Sequence, residues 1–260
     1  MVSATFRFYG ELNDFVARER RGHAFTTPCA RAATTKHMVE ALGVPHTEVE
    51  LVLVNGAPTG LDDILEEGDR VAVYPRFTRL PVADVARIDQ RPPGRVRFVA
   101  DAHLGRLARL LRMAGFDTVY RNTLHDADVE AIALEDGRAV LTRDRALLKR
   151  RGIDYGCYVR ALKAEDQLRD VFDRFGLAER VRPFTLCLSC NAPLRPVAKA
   201  DVIDRLPPRV AAAHDEFSTC DCCHGVFWKG SHWQRMAGVL AAVAGDAAHC
   251  DTLVPGRAIR

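Results

Sequence analysis

Two pairs of cysteines constrain this chain more than any other feature. Cys187-Leu188-Ser189-Cys190 and Cys220-Asp221-Cys222-Cys223 each contain a C-x2-C step, and 29 residues lie between the pairs. Four thiolates at that spacing suit tetrahedral zinc in a closed structural site. A redox dithiol would need only one pair, usually in a thioredoxin-like setting. Cys220 with Cys223 repeats the spacing of the first knuckle. The predicted ligands are therefore Cys187, Cys190, Cys220 and Cys223, with Cys222 set aside and His224 or His232 as substitutes. Cys29, Cys157 and Cys250 stand singly and are expected to be small buried hydrophobes.

Around that anchor, 260 residues are enough for two or three compact units. No apolar run is long enough to cross a bilayer, and the start MVSATFRFYG lacks a secretory pattern. The expectation is a cytoplasmic chain with reduced thiols and no membrane contact. Net charge is only +3, too small to declare a nucleic-acid binder. Its distribution says more, because Arg79 to Arg112 holds eight arginines, three aspartates and no lysine. Arginine forks suit phosphate oxygens.

Residues 1–80 read as a strand-rich unit with one helix. Thr5 to Tyr9 alternates in polarity, and a second extended run crosses His23 to Thr27. Thr34 and Thr35 can cap a helix through Leu42, ended by Gly43 and Pro45. Leu51 to Val54 runs into the turn Asn55-Gly56, and a last strand covers Arg70 to Pro75. This ββαββ order resembles the β-grasp (ubiquitin-like) fold of small sulfur-carrier proteins. Those carriers act through a terminal Gly-Gly, and here Pro75-Arg76-Phe77 follows the last strand. The resemblance therefore implies a docking or structural role, with a protein partner. Residues 81–95, rich in proline, read as a linker.

Residues 96–181 alternate strand and helix, which implies a parallel sheet flanked by helices. Strands are expected at Val96–Ala100, Thr118–Tyr120, Ala139–Leu141 and Tyr155–Val159. The helices are expected at Leu104–Ala114, at 126–136, after Asp144 to Arg151, and at Glu165–Phe175. In such sheets ligands gather beyond the carboxyl ends of the strands. Asp101 follows the first strand directly, Asp144 follows the third, and Asp126 opens the intervening helix with Asp128 and Glu130 behind it. Singly, Asp126 or Asp128 is more simply a helix cap. Together, converging carboxylates need a divalent cation, and hard oxygen ligands favour Mg²⁺ or Mn²⁺.

The run from Phe98 to Thr118, FVADAHLGRLARLLRMAGFDT, resembles the opening motif of the Mut-seven C-terminal ribonucleases, a branch of the PIN-like nucleases. Val140 to Leu148, VLTRDRALL, resembles that family's second signature, and the trailing cysteine pairs resemble its zinc ribbon. The resemblance implies Asp101, Asp126 and Asp144 as catalytic metal ligands, with Thr142 orienting Asp144 or a water. Where PIN nucleases place a fourth acidic residue after Asp144, Arg145, Ala146 and Leu147 stand instead. RNA is the implied partner, with structured RNA such as tRNA as a substrate; a non-catalytic RNA- or protein-binding adaptor is the alternative.

Arg106, Arg109 and Arg112, three apart, are expected to share one helix face, with Arg143 near the third acidic position. A solvated face is the plain reading, and proximity to the carboxylates favours phosphate contact, Arg106 first. After the second knuckle comes Phe227-Trp228-Lys229-Gly230-Ser231-His232-Trp233. Trp228 is expected to pack around the metal core, leaving Lys229 and His232 as RNA contacts. The resulting expectation is an α/β chain with three parts: a β-grasp domain (1–80), a PIN-like parallel-sheet core (96–181) and a zinc ribbon (182–236). A tail (237–260) follows.

Overall fold

A computed structural model describes residues 2–76, 88, 92 and 94–244. Most of the 81–95 linker, Cys250 and the chain beyond 244 lie outside the described residues. The N-terminal part forms β1 (Val2–Phe8), β2 (Phe25–Cys29), α1 (Thr35–Ala41), β3 (Leu51–Val54), β4 (Ala57–Thr59) and β5 (Arg70–Tyr74). Thr34 caps α1 as its residue type predicts, its Oγ1 accepting from the His37 N–H at 3.2 Å. Asn55 and Gly56 both take positive φ, 54° and 87°, which closes the β3–β4 hairpin. The strand order is β2-β1-β5-β3-β4, with β1 parallel to β5 and the other pairs antiparallel. This is the β-grasp arrangement. The alternating positions Ala4, Phe6 and Phe8 of β1 and Val71 and Val73 of β5 fill its core.

The middle of the chain forms β6 (Phe98–Ala100), α2 (Gly105–Met113), β7 (Thr118–Val119), α3 (Asp126–Asp136), β8 (Ala139–Thr142), β9 (Gly156–Tyr158) and α4 (Ala164–Phe175). β6 pairs with β7 and β8 with β9, both parallel. The helix expected after Asp144 is only a short 3-10 turn, Leu147–Lys149. The reason is competition for donors. Arg150 is extended (φ −67°, ψ 147°) and the Gly152 N–H donates to Glu130 on α3 at 3.0 Å instead of to a helical carbonyl, while the Arg150 guanidinium binds the same carboxylate at 3.0 Å.

The C-terminal part forms β10 (Leu194–Val197), α5 (Pro208–Ala213), β11 (Phe217–Cys220), β12 (Val226–Phe227) and α6 (Ser231–Ala244). Residues 237–244, expected as tail, continue α6. Alanine favours helix, and Trp233, Met236, Ala237 and Leu240 give that helix a buried face. No described helix is long and apolar enough to cross a membrane.

Contacts gather these elements into two compact units, and the division does not follow the sequence order. In one, the β-grasp sheet packs with α3, β8 and β9. His46 is held at both ring nitrogens, by Glu40 at 2.6 Å and by the Ile153 carbonyl at 2.9 Å. Glu48 Oε1 accepts from the Tyr158 N–H at 2.8 Å, and Tyr158 meets Phe15 edge-on at 5.1 Å.

The other unit joins β6, α2 and β7 to α4 and the described residues after it. Phe98, Phe116, Phe172 and Phe175 form its aromatic core through edge contacts of 5.2–6.3 Å. Gly115 closes α2 at φ +90°, and a Cβ there would lie 2.1 Å from the Arg182 carbonyl oxygen. Only glycine lets the chain entering the ribbon run this close: the Arg182 and Phe184 N–H groups donate to Ala114 and Met113.

Candidate metal centre and acidic strand ends

The two cysteine knuckles are copies of one local shape. In the first, the Cys187 N–H donates to Ala192 and the Asn191 N–H to Cys187; in the second, the Cys220 N–H donates to Gly225 and the His224 N–H to Cys220. Asn191 and His224, each just past its knuckle, are both left-handed, at φ 69° and 57°. The β10–β11 ladder sets Leu194 opposite Cys220 and brings the knuckles together. Cys187 Sγ lies 3.5 Å from Cys223 Sγ and Cys190 Sγ 3.4 Å from Cys220 Sγ; all four sulfurs fall within 4.8 Å of one another. Four zinc–sulfur bonds of about 2.3 Å in a tetrahedron put sulfurs about 3.8 Å apart, so the set fits such an ion. Cys222 is exposed and outside the group, as the spacing predicts. Burial pushes the Cys187 thiol up to about 12. A cation entering this site therefore displaces a proton from it.

Arg112 does not share the exposed face expected for Arg106 and Arg109. It is 3% exposed and points into the unit. Its Nε donates to the Thr118 carbonyl at 3.0 Å, and its Nη1 donates to Leu188 and Ser189 at 3.0 and 2.9 Å. Both latter carbonyls belong to the first knuckle. Asn191 completes the dock, accepting from the Thr118 N–H at 3.0 Å and donating to Asp117 at 2.5 Å. The sequence carried a signal for Asn191, since Asn tolerates the left-handed conformation that a knuckle needs. It carried none for Arg112 beyond the i, i+3 series that suggested the opposite role.

The acidic residues sit at the ends of elements, as expected. Asp101 follows β6 and accepts from the Ala102 N–H at 2.6 Å, opening a 3-10 turn into α2. Asp144 lies two residues past β8; its N–H donates to Thr142 Oγ1 at 2.9 Å, and its Oδ1 accepts from Ala146 at 2.7 Å. Thr142 is fully buried, so it fixes the backbone that carries Asp144. Asp126 is the first residue of α3 and faces Arg150 Nη2 at 3.5 Å. Asp126 and Asp144 belong to the β-grasp-containing unit and Asp101 to the other. Among the described residues the four cysteines are the one group of three or more metal-ligating side chains whose donor atoms lie within 4.8 Å of one another.

Glu130 gives this region a pH signature. The Arg150 guanidinium and the Gly152 N–H hold its carboxyl below the ordinary carboxylate range. A depressed carboxylate contributes its stability in full above its unfolded pKa and loses it as pH falls through the lowered value. Acid titration is expected to release the 150–152 segment in that window, and Glu130→Gln is expected to remove this part of the pH dependence. Amide exchange at Gly152 is the measurement.

Arg106, Arg109 and Arg143 are exposed. Lys229 pairs with Glu216 at 3.2 Å and lies 6.0 Å from the Trp233 ring, while His232 is exposed. Trp228 packs against the small ribbon core of Val202, Leu206 and Phe217, as expected.

The model of the Mut7-C RNAse domain matches residues 96–240. The chain belongs to the Mut7-C RNAse family. The Mut7-C ubiquitin model matches residues 1–81, in line with the β-grasp sheet. This Mut7-C chain is also similar to the crystal structure of H. volcanii small archaeal modifier protein 1. That match has 19% identity, covers 30% of this chain and 100% of that one, and has a TM-score of 0.25. SAMP1 from Haloferax volcanii gives 20% identity over 29% and 97%, with a TM-score of 0.24. No curated protein matches the chain. A ribonuclease-type domain and a ubiquitin-like domain are thus joined to a four-cysteine site with metal-binding geometry.

Proposed function

We propose that this protein is a ribonuclease that hydrolyses RNA phosphodiester bonds with a divalent cation, structured RNA such as tRNA being its substrate. The observation that carries the reading is the position of Asp101 and Asp144 just beyond the carboxyl ends of two parallel-paired strands, inside the span matched by the Mut7-C RNAse domain. Asp101, Asp126 and Asp144 offer only hard oxygen donors, which fit Mg²⁺ or Mn²⁺ and not a soft ion. When bound, such an ion supplies charge neutralisation and an activated water at the scissile phosphate. Thr142 fixes the turn that carries Asp144. Arg150 faces Asp126 at the start of α3 and orients its carboxylate. Arg106, Arg109 and Arg143 bind the phosphate backbone and fix its register, and Lys229 and His232 contact RNA from the ribbon.

The cysteine site holds zinc and serves structure. The cytoplasm is its compartment, since reduced thiols persist there. The β-grasp domain docks a protein partner.

The Arg150–Asp126 pair favours a second reading, a non-catalytic RNA- or protein-binding adaptor. Cleavage decides between them. Purified protein is expected to cut an RNA pool with Mn²⁺ or Mg²⁺, and Asp101→Asn to slow cutting about a thousandfold, the loss of about 4 kcal/mol of transition-state stabilisation. Equal cleavage by both proteins, or none by either with any divalent cation, overturns the nuclease reading.

A further inference from the structure

A cleft of about 560 Å³ opens where the N-terminal ends of α2 and α4 meet, and Ala102, the residue after Asp101, lines it. It is lined by His103 from the turn before α2, Arg106 and Arg109 from α2, Lys163 and Glu165 from the start of α4, and Tyr120. Against the single carboxylate of Glu165 stand three permanent cations. None of Arg106, Arg109 and Lys163 makes a salt bridge or a side-chain hydrogen bond among the described residues. The contrast with nearby surface charge is plain. On α4 itself Arg169 pairs with Asp166 at 2.7 Å. Uncompensated like charges facing one cavity cost electrostatic energy that an anion would recover.

The backbone adds to this. α2 continues from the 3-10 turn that Asp101 caps, whereas α4, which starts at Ala164 after Lys163, has no side-chain cap. The first-turn N–H groups of α4 are therefore left for another acceptor, and its positive dipole end lies at the cleft. Tyr120 ties two of the lining residues together, its hydroxyl donating to the Ala102 carbonyl at 2.9 Å.

We propose that this cleft binds the RNA backbone on the Asp101 side of the scissile bond. Arg106 takes one phosphate from the α2 side and Lys163, with the open N-terminus of α4, takes a neighbouring one. The proposal rests on the ribonuclease reading and extends it by a second helix. The volume falls within the range of small-molecule sites, roughly 300–1,000 Å³, so it admits a nucleotide with its flanking phosphates.

The test uses full-length Asp101→Asn protein, which holds RNA without cutting it, and measures the affinity for a single-stranded RNA oligomer at several salt concentrations. Lys163→Gln and Arg106→Gln, each added to that parent, are expected to weaken binding and to flatten the log–log salt slope by about 0.7 to 1 each. Arg31→Gln, on the β-grasp domain, is expected to change neither. Unchanged affinity and slope in both cleft variants while wild type cleaves RNA would overturn the cleft and leave the nuclease reading standing. Flattened slopes without cleavage by wild type would support the cleft and sink the nuclease reading. Absence of RNA binding by the parent would overturn both. A nucleoside monophosphate or inorganic phosphate that displaces the oligomer at its own affinity would reassign the cleft to a small anion and overturn the backbone proposal.

Discussion

Chelating the metal from the full-length protein, or replacing Cys187 with Ser, is expected to unfold residues 186–227 while leaving the β-grasp sheet folded. The ribbon's own core is only Val202, Leu206 and Phe217, with a few half-buried neighbours such as Val197, Val226 and Trp228. A core that small does not offset the entropy of ordering some forty residues. Structural zinc supplies about 10–16 kcal/mol in zinc-finger peptides, enough to decide folding by itself. The readout is built in, because the chain has two tryptophans and both follow the second knuckle. Intrinsic tryptophan fluorescence should shift on chelation and return with one equivalent of zinc per chain. Fluorescence and thermal melting unchanged after complete metal removal would show that the four thiols are incidental.

Replacing Arg112 with Met is expected to cost about 3–4 kcal/mol, large for one residue. The guanidinium donates to three carbonyls at once, Thr118, Leu188 and Ser189. Removing it leaves all three facing a thioether that donates nothing. Burial lowers the affinity of Arg112 for its own proton, and the nearby thiol groups of Cys187 and Cys190 oppose that shift. Its charge is thus linked to the knuckle it holds. Arg112→Lys is expected to restore little, since an ammonium lacks the planar fork that spans three acceptors. Urea unfolding measures the loss, and a change under 1 kcal/mol would mean that water replaces the guanidinium. The variant should also loosen zinc, because the Leu188 and Ser189 carbonyls lie between two ligands.

Local chemistry was legible in the sequence wherever a residue's role is set by its immediate neighbours. The Thr34 cap, the Asn55-Gly56 hairpin and the 126–136 helix all follow from short-range rules and stand as read. The choice of Cys220 and Cys223 over Cys222 follows from repeat spacing alone. The turn after Asp144 failed for the opposite reason. Its helical reading takes no account of Glu130, which lies some twenty residues away and accepts both the Gly152 N–H and the Arg150 guanidinium. Arg112 failed likewise: an i, i+3 arginine series cannot reveal that one member meets a loop 76 residues onward.

Periodicity, capping and ligand spacing are local properties of the chain, so they are enough to read the ββαββ element order, the two knuckles and the placing of Asp101 and Asp144 after strands. They do not give the extra strand Ala57–Thr59 or the order of the strands in the sheet. Long-range contacts settled the other features. They put β8 and β9 in one unit with the β-grasp sheet, bound the first knuckle to α2 through Arg112, and drew Lys163 to the cleft that Ala102 lines. Each of these depends on burial and on charge brought together from distant positions, and no window of sequence holds both partners.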